Sequence, residues 1–105
     1  MLASGYDFLR TTQPFHRWKL PEAEEVGFHV FRALHSADCE MVKGTPIIRV
    51  SEKRNGHTAT LLATIAHEMI HIRQFMLGDT GNHNALFLKL ADRVCQIHGF
   101  DPKTF

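Results

Sequence analysis

Apolar residues recur along this chain with two different periods. Residues 26–34, VGFHVFRAL, alternate so that Val26, Phe28, Val30 and Ala33 or Leu34 share roughly one side, and their β-branched and aromatic content predicts a strand. Residues 38–42 and 47–51 are two further short strand candidates, with Lys43-Gly44 as a tight turn between them, so the three together predict a small antiparallel sheet. Beyond residue 58 the period becomes helical. Leu62, Ile65, Met69, Ile72 and Met76 form an apolar stripe, with Thr60, Thr64, His67, His71 and Gln74 on the opposite, polar side.

The predicted helix follows the polar stretch 52–56, whose Asn55-Gly56 is a turn signal. Thr58 or Thr60 caps it, and it runs to about Leu77 and stops at Gly78. A loop at residues 79–81 leads to Asn82 as the N-cap of a second helix. That helix carries the stripe Phe87, Leu90, Ala91, Val94 and ends near His98, before Gly99 and Pro102. At the other end of the chain, residues 2–12 read as a short helix ending before Pro14, followed by an anchor of Phe15, Trp18 and Leu20. Strands followed by two helices make an α+β layout.

Composition narrows the class. A chain of 105 residues, 44% hydrophobic and 22% charged, is the size and character of one globular domain, with residues 1–25 as an N-terminal helix and anchor and residues 26–105 as the core. A net charge of +1 excludes the strong positive field of a dedicated nucleic-acid binder, leaving only a weak, local association with DNA. Cys39 and Cys95 are too few for a disulfide framework and form no CxxC pair, so both read as core thiols. With no signal-peptide pattern and no transmembrane stretch, the expected location is a reducing cytoplasm, with no membrane partner.

The chemistry concentrates in His67-Glu68-Met69-Ile70-His71. Residues four apart on a helix lie one turn apart on one face, so His67 and His71 can direct two imidazoles at a single ion. Neutral imidazole is a good zinc ligand, and a carboxylate beside the metal takes a proton from water the metal activates, which casts Glu68 as general base. The plainer alternative is a pair of surface histidines on an amphipathic helix. Arg73 is a misfit on the apolar side, where its stem covers apolar surface while the guanidinium reaches water.

Catalytic zinc usually takes three protein ligands and keeps a fourth position open. His83 is the expected third ligand, in the first turn of the second helix and on the same stripe as Phe87, Leu90, Ala91 and Val94, where the helix dipole favours neutral imidazole. Asp79 or Asp92 is the competing donor, and Asp79 is also a candidate for orienting a ligand histidine from behind.

LLATIAHEMIH followed by His83-Asn84-Ala85-Leu86-Phe87 resembles the SprT-like zinc metalloprotease family, to which Spartan belongs. The likeness spans about residues 26–105, and its specific part is residues 61–87. It implies a minimal zincin-like fold, zinc on His67, His71 and His83, Glu68 as general base, and a protein or peptide substrate. Asn84 stands where the family usually has glycine, and the zinc ribbon of many members is absent. Spartan-like members digest proteins crosslinked to DNA, and this chain lacks the modules that bring them there. The compact form resembles single-domain members encoded by bacteriophages, which implies the cytoplasm of a bacterial host.

The remaining candidates are weaker. His57 reads as a loop residue near the cleft, His16, His29 and His35 as structural or exposed, and His98 as a cation at the helix C-terminus. Lys53-Arg54 reads as solvated turn, and Tyr6 is too far away in sequence to be assigned as an oxyanion donor. An extended substrate is expected on a sheet edge, either residues 47–51 or the neighbouring strand. Two rivals stay open: a zinc-binding interaction module that does not cleave, against which Glu68 argues, and a zinc hydrolase of a non-peptide amide or ester.

Overall fold

The computed structural model describes residues 2–31, 37–51, 58–103 and 105, with backbone alone at 31 and 58–60. Helix α1 spans Leu2–Arg10. Strands β1 (Gly27–Phe31), β2 (Ala37–Val42) and β3 (Thr45–Ser51) follow, then helices α2 (Thr58–Met76) and α3 (Ala85–His98). The described residues form an α+β arrangement of three α-helices and one three-stranded sheet. His35, Lys53-Arg54, Asn55-Gly56 and His57 lie outside the described residues.

The sheet is mixed, which corrects the antiparallel expectation. Its order is β1-β3-β2, with β1 parallel to β3 and β2 antiparallel to it. Period-2 alternation encodes which face a side chain occupies, but neither the neighbour nor the direction of a strand. The β2–β3 hairpin is the part local chemistry dictates: Lys43 (φ 51°) and Gly44 (φ 83°) both take positive φ, as a two-residue turn matched to strand twist requires. Strand β3 is therefore central, and residues 47–51 are not an edge. Among the described residues the two edges are β1 and β2.

Ile48 and Val50 of β3 point into the core, while Arg49 on the opposite face pairs with Asp38 (3.0 Å) and Glu40 (2.6 Å) of β2. In β1, burial fades along the strand. Val26 is buried just before it and Phe28 packs edge-on against Tyr6 of α1, but Val30, expected on the same side, is 56% exposed.

Helix α2 lies at the centre, touching α1, α3, β2 and β3. His71 and Gln74, expected to face away from the main core towards a cleft, are buried. Glu68 is buried beside Asp38 and Cys39 of β2, His71 stacks on Phe87 of α3, and Gln74 is enclosed by the loop before α3. Met76, assigned to the apolar stripe, is exposed instead.

The anchor residues Phe15, Trp18 and Leu20 are buried as expected, and the Arg73 guanidinium donates to the Trp18 carbonyl (3.1 Å), tying the N-terminal segment to α2. His98 also ties segments together rather than capping its own helix: its Nε2 donates to the Gln13 carbonyl (2.8 Å). The Tyr6 hydroxyl donates to the Pro21 carbonyl (2.6 Å), and burial pushes its pKa up, which fits a core residue. No helix among the described residues is long and apolar enough to cross a membrane.

Candidate metal centre

Three imidazoles meet where α2 faces the loop before α3. His67 and His71 project from successive turns of α2, and His83 Nε2 lies 3.1 Å from His67 Nε2 and 3.2 Å from His71 Nε2. Tetrahedral zinc with Zn–N of about 2.05 Å sets its nitrogen ligands about 3.3 Å apart, so the spacing fits such an ion. Among the described residues, these three form the group close enough to hold a metal; Asp79 and Asp92, the alternative donors, are not in it. Asp92 instead accepts from Gln96 on the exposed side of α3 (3.0 Å).

The far side of each α2 imidazole decides which nitrogen is bare. His67 Nδ1 lies 2.7 Å from the Phe105 carbonyl oxygen, which can only accept, so Nδ1 carries the hydrogen and Nε2 keeps its lone pair. His71 Nδ1 lies 2.8 Å from Gln74 Oε1, another acceptor, with the same consequence. Two lone pairs thus face His83 Nε2. A divalent cation is the partner that such a donor set fits, since imidazole binds metal in its neutral form.

Electrostatics favour that form. Burial pushes the His67 pKa down to about 4, with the His71 charge adding to the effect, while the Phe105 carbonyl works in the other direction. His71 is also lowered, first by burial. Phe87 helps to exclude water, its ring centroid lying 4.9 Å from His67, 5.0 Å from His71 and 4.5 Å from His83. The ring of Phe105 flanks His67 at 5.4 Å.

Glu68 follows His67 on α2 and is only 4% exposed. Burial first, and the Asp38 carboxylate of β2 second, raise its carboxyl pKa to about 8. Glu68 in turn acts on Cys39, the next residue of β2, whose thiol is held at about 12 by burial first and Glu68 second. Strand β2, an edge of the sheet, therefore runs past the carboxyl.

His83 does not sit in the first turn of α3. The N-cap is Asn84 rather than Asn82: its Oδ1 accepts from the Phe87 amide (3.1 Å), so His83 precedes the cap and belongs to the loop. Asn84, the residue that departs from the SprT-like pattern, is thus a structural cap. Asp79 lies behind the site at one remove: hydrogen bonds from Asn84, the Thr80 backbone and Gln74 hold its carboxyl below the usual range. Its partner Gln74, the Phe105 carbonyl and the Asn84 cap were not singled out from sequence. Only Gln74 left a signal there, at three residues beyond His71 on a helix. Neither the known family models nor the curated proteins match this chain.

Proposed function

We propose that the protein is a zinc-dependent peptide hydrolase of the zincin type, as the likeness of its HEMIH helix and His83 to SprT-like proteases suggests. The observation that carries this reading is the convergence of three imidazole nitrogens, two with their lone pairs fixed inward, on a helix that also bears a buried carboxyl. His67, His71 and His83 would hold the ion. When bound, zinc supplies a Lewis acid and acidifies water.

Glu68 then moves the proton. A nearby cation pulls a carboxyl pKa down while burial holds it up, and a base between these limits is poised near neutrality. Glu68 accepts the proton of the attacking water and returns it to the leaving amine. The substrate is an extended chain that adds to the outer edge of β2, because β2 runs past Glu68 whereas β3 is enclosed by its neighbours.

The test is cleavage of an unfolded protein by the wild type when zinc-loaded, after chelation, and after zinc is restored. Cleavage that disappears and returns is expected. Stable zinc binding with no cleavage would replace this reading with a non-cleaving interaction module, and turnover of esters but not peptides would assign a different hydrolase. Added single-stranded DNA tests a Spartan-like role: faster cleavage supports it, and equal rates remove it.

A further inference from the structure

We propose that Gln74 is the positioning residue of the metal centre, its one carboxamide setting the tautomer of His71 while pinning the loop that carries His83. The inference rests on the metal-binding reading above. Gln74 is fully buried one turn beyond His71. Its Nε2 donates towards three acceptors: Asp79 Oδ2 (2.9 Å), the Asn82 carbonyl (2.8 Å) and Asn84 Oδ1 (3.3 Å). Turning the amide over would set its oxygen against all three, so the surroundings fix its orientation. Oε1 is then the atom that meets His71 Nδ1, at 2.8 Å, and Nε2 of His71 is left bare towards His83.

The donor end acts on the loop. Asn82 and Asn84, the two neighbours of His83, both bond the same amide nitrogen, so the third ligand is held from either side. The Gln74 main chain adds to this, its carbonyl accepting from the Asp79 amide (2.9 Å) at the end of α2. Asp79 accepts in turn from Asn84 Nδ2, at 3.2 and 3.0 Å on its two oxygens. The task needs opposite polarities at the two ends of one side chain. A carboxylate supplies only the acceptor, and an aliphatic chain supplies neither.

The tautomer is readable without metal. Nitrogen-15 NMR of the metal-free wild type should show His71 with its hydrogen on Nδ1; hydrogen on Nε2 would overturn the proposal. Gln74→Leu should weaken zinc binding by about 10- to 100-fold and release the tautomer preference. A folded Leu variant with wild-type affinity would also overturn it.

Gln74→Glu keeps the acceptor and loses the donor, so the tautomer should persist while zinc affinity falls and the visible spectrum of the cobalt-substituted protein changes. Adding Asp79→Asn reverses the polarity of that pair and should recover affinity relative to Gln74→Glu alone; no recovery would remove the loop-pinning half. These two measurements decide the matter even if Gln74→Leu does not fold. A wild type that binds no zinc but shows the expected tautomer would sink the metal reading and leave the orientation of His71 by Gln74 standing. Zinc binding with the opposite tautomer would do the reverse.

Discussion

Glu68 is a carboxyl held where its charged form is disfavoured, and the consequence is a pH-dependent fold. In the metal-free protein it keeps its proton to about pH 8, against 4.5 for an ordinary glutamate. Between those values the folded state binds more protons than the unfolded one, so stability falls as pH rises. His67 works in the opposite sense. Its pKa is about 4 when folded against 6.5 ordinarily, so across that window stability falls as pH drops. Replacing Glu68 by Gln removes the first effect and leaves the second. In urea denaturation with chelator present, Glu68→Gln should therefore gain on the wild type between pH 4.5 and 8, by roughly 1 kcal/mol per unit and a few kcal/mol in all. A difference that stays constant from pH 5 to pH 8 would contradict the burial of this carboxyl.

The loop between α2 and α3 turns on two residues. Gly81 has φ +83°, and a Cβ there would lie 2.6 Å from the Phe75 ring, so Gly81→Ala should destabilise by at least about 1 kcal/mol even if the ring swings aside. Asn84→Ala removes the N-cap of α3 together with the bonds to Asp79. The cap alone is worth about 1 kcal/mol, and zinc affinity should fall as well because His83 is the preceding residue. Thermal unfolding and zinc titration of the two variants check both effects; wild-type affinity in folded Asn84→Ala would show that the cap does not hold the ligand.

These elements also mark how far the sequence could be read. Helices, hairpin and helix stops were legible because Gly44, Gly78 and Gly99 and the periods of 2 and 3.6 are local signals. The N-cap read at Asn82 falls at Asn84, whose side chain is held by Gln74 and Asp79 across the loop, contacts that no helix or strand period encodes. His71 read as turned away from the core, towards a cleft, because helical phase alone does not show that Phe87 of α3 stacks on it. The strand order β1-β3-β2 left no trace in any single strand. His67, His71 and Glu68 share one helix, so their juxtaposition needed only its pitch. The Phe105 carbonyl meets His67 through the folded chain.

In the molecule as a whole, the three histidines that could hold a metal join α2, the loop before α3 and the Phe105 segment, so binding a cation there should stabilise the entire fold. At a hundred times its dissociation constant, a ligand specific for the folded state adds about 2.7 kcal/mol. For a chain near this size that raises the melting temperature by roughly 10 °C or more. His83→Ala should lose most of the rise, and an unchanged rise would remove His83 from the ligand set.

Metal binding alone does not make an enzyme, and the claim that joins the two is the role of Glu68. The direct measurement is zinc content and cleavage of an unfolded protein by purified wild type and Glu68→Gln, assayed side by side. Both should hold one zinc per chain, and the variant should lose cleavage by about 10²- to 10⁴-fold. Equal cleavage by the two proteins at equal zinc content would contradict that role.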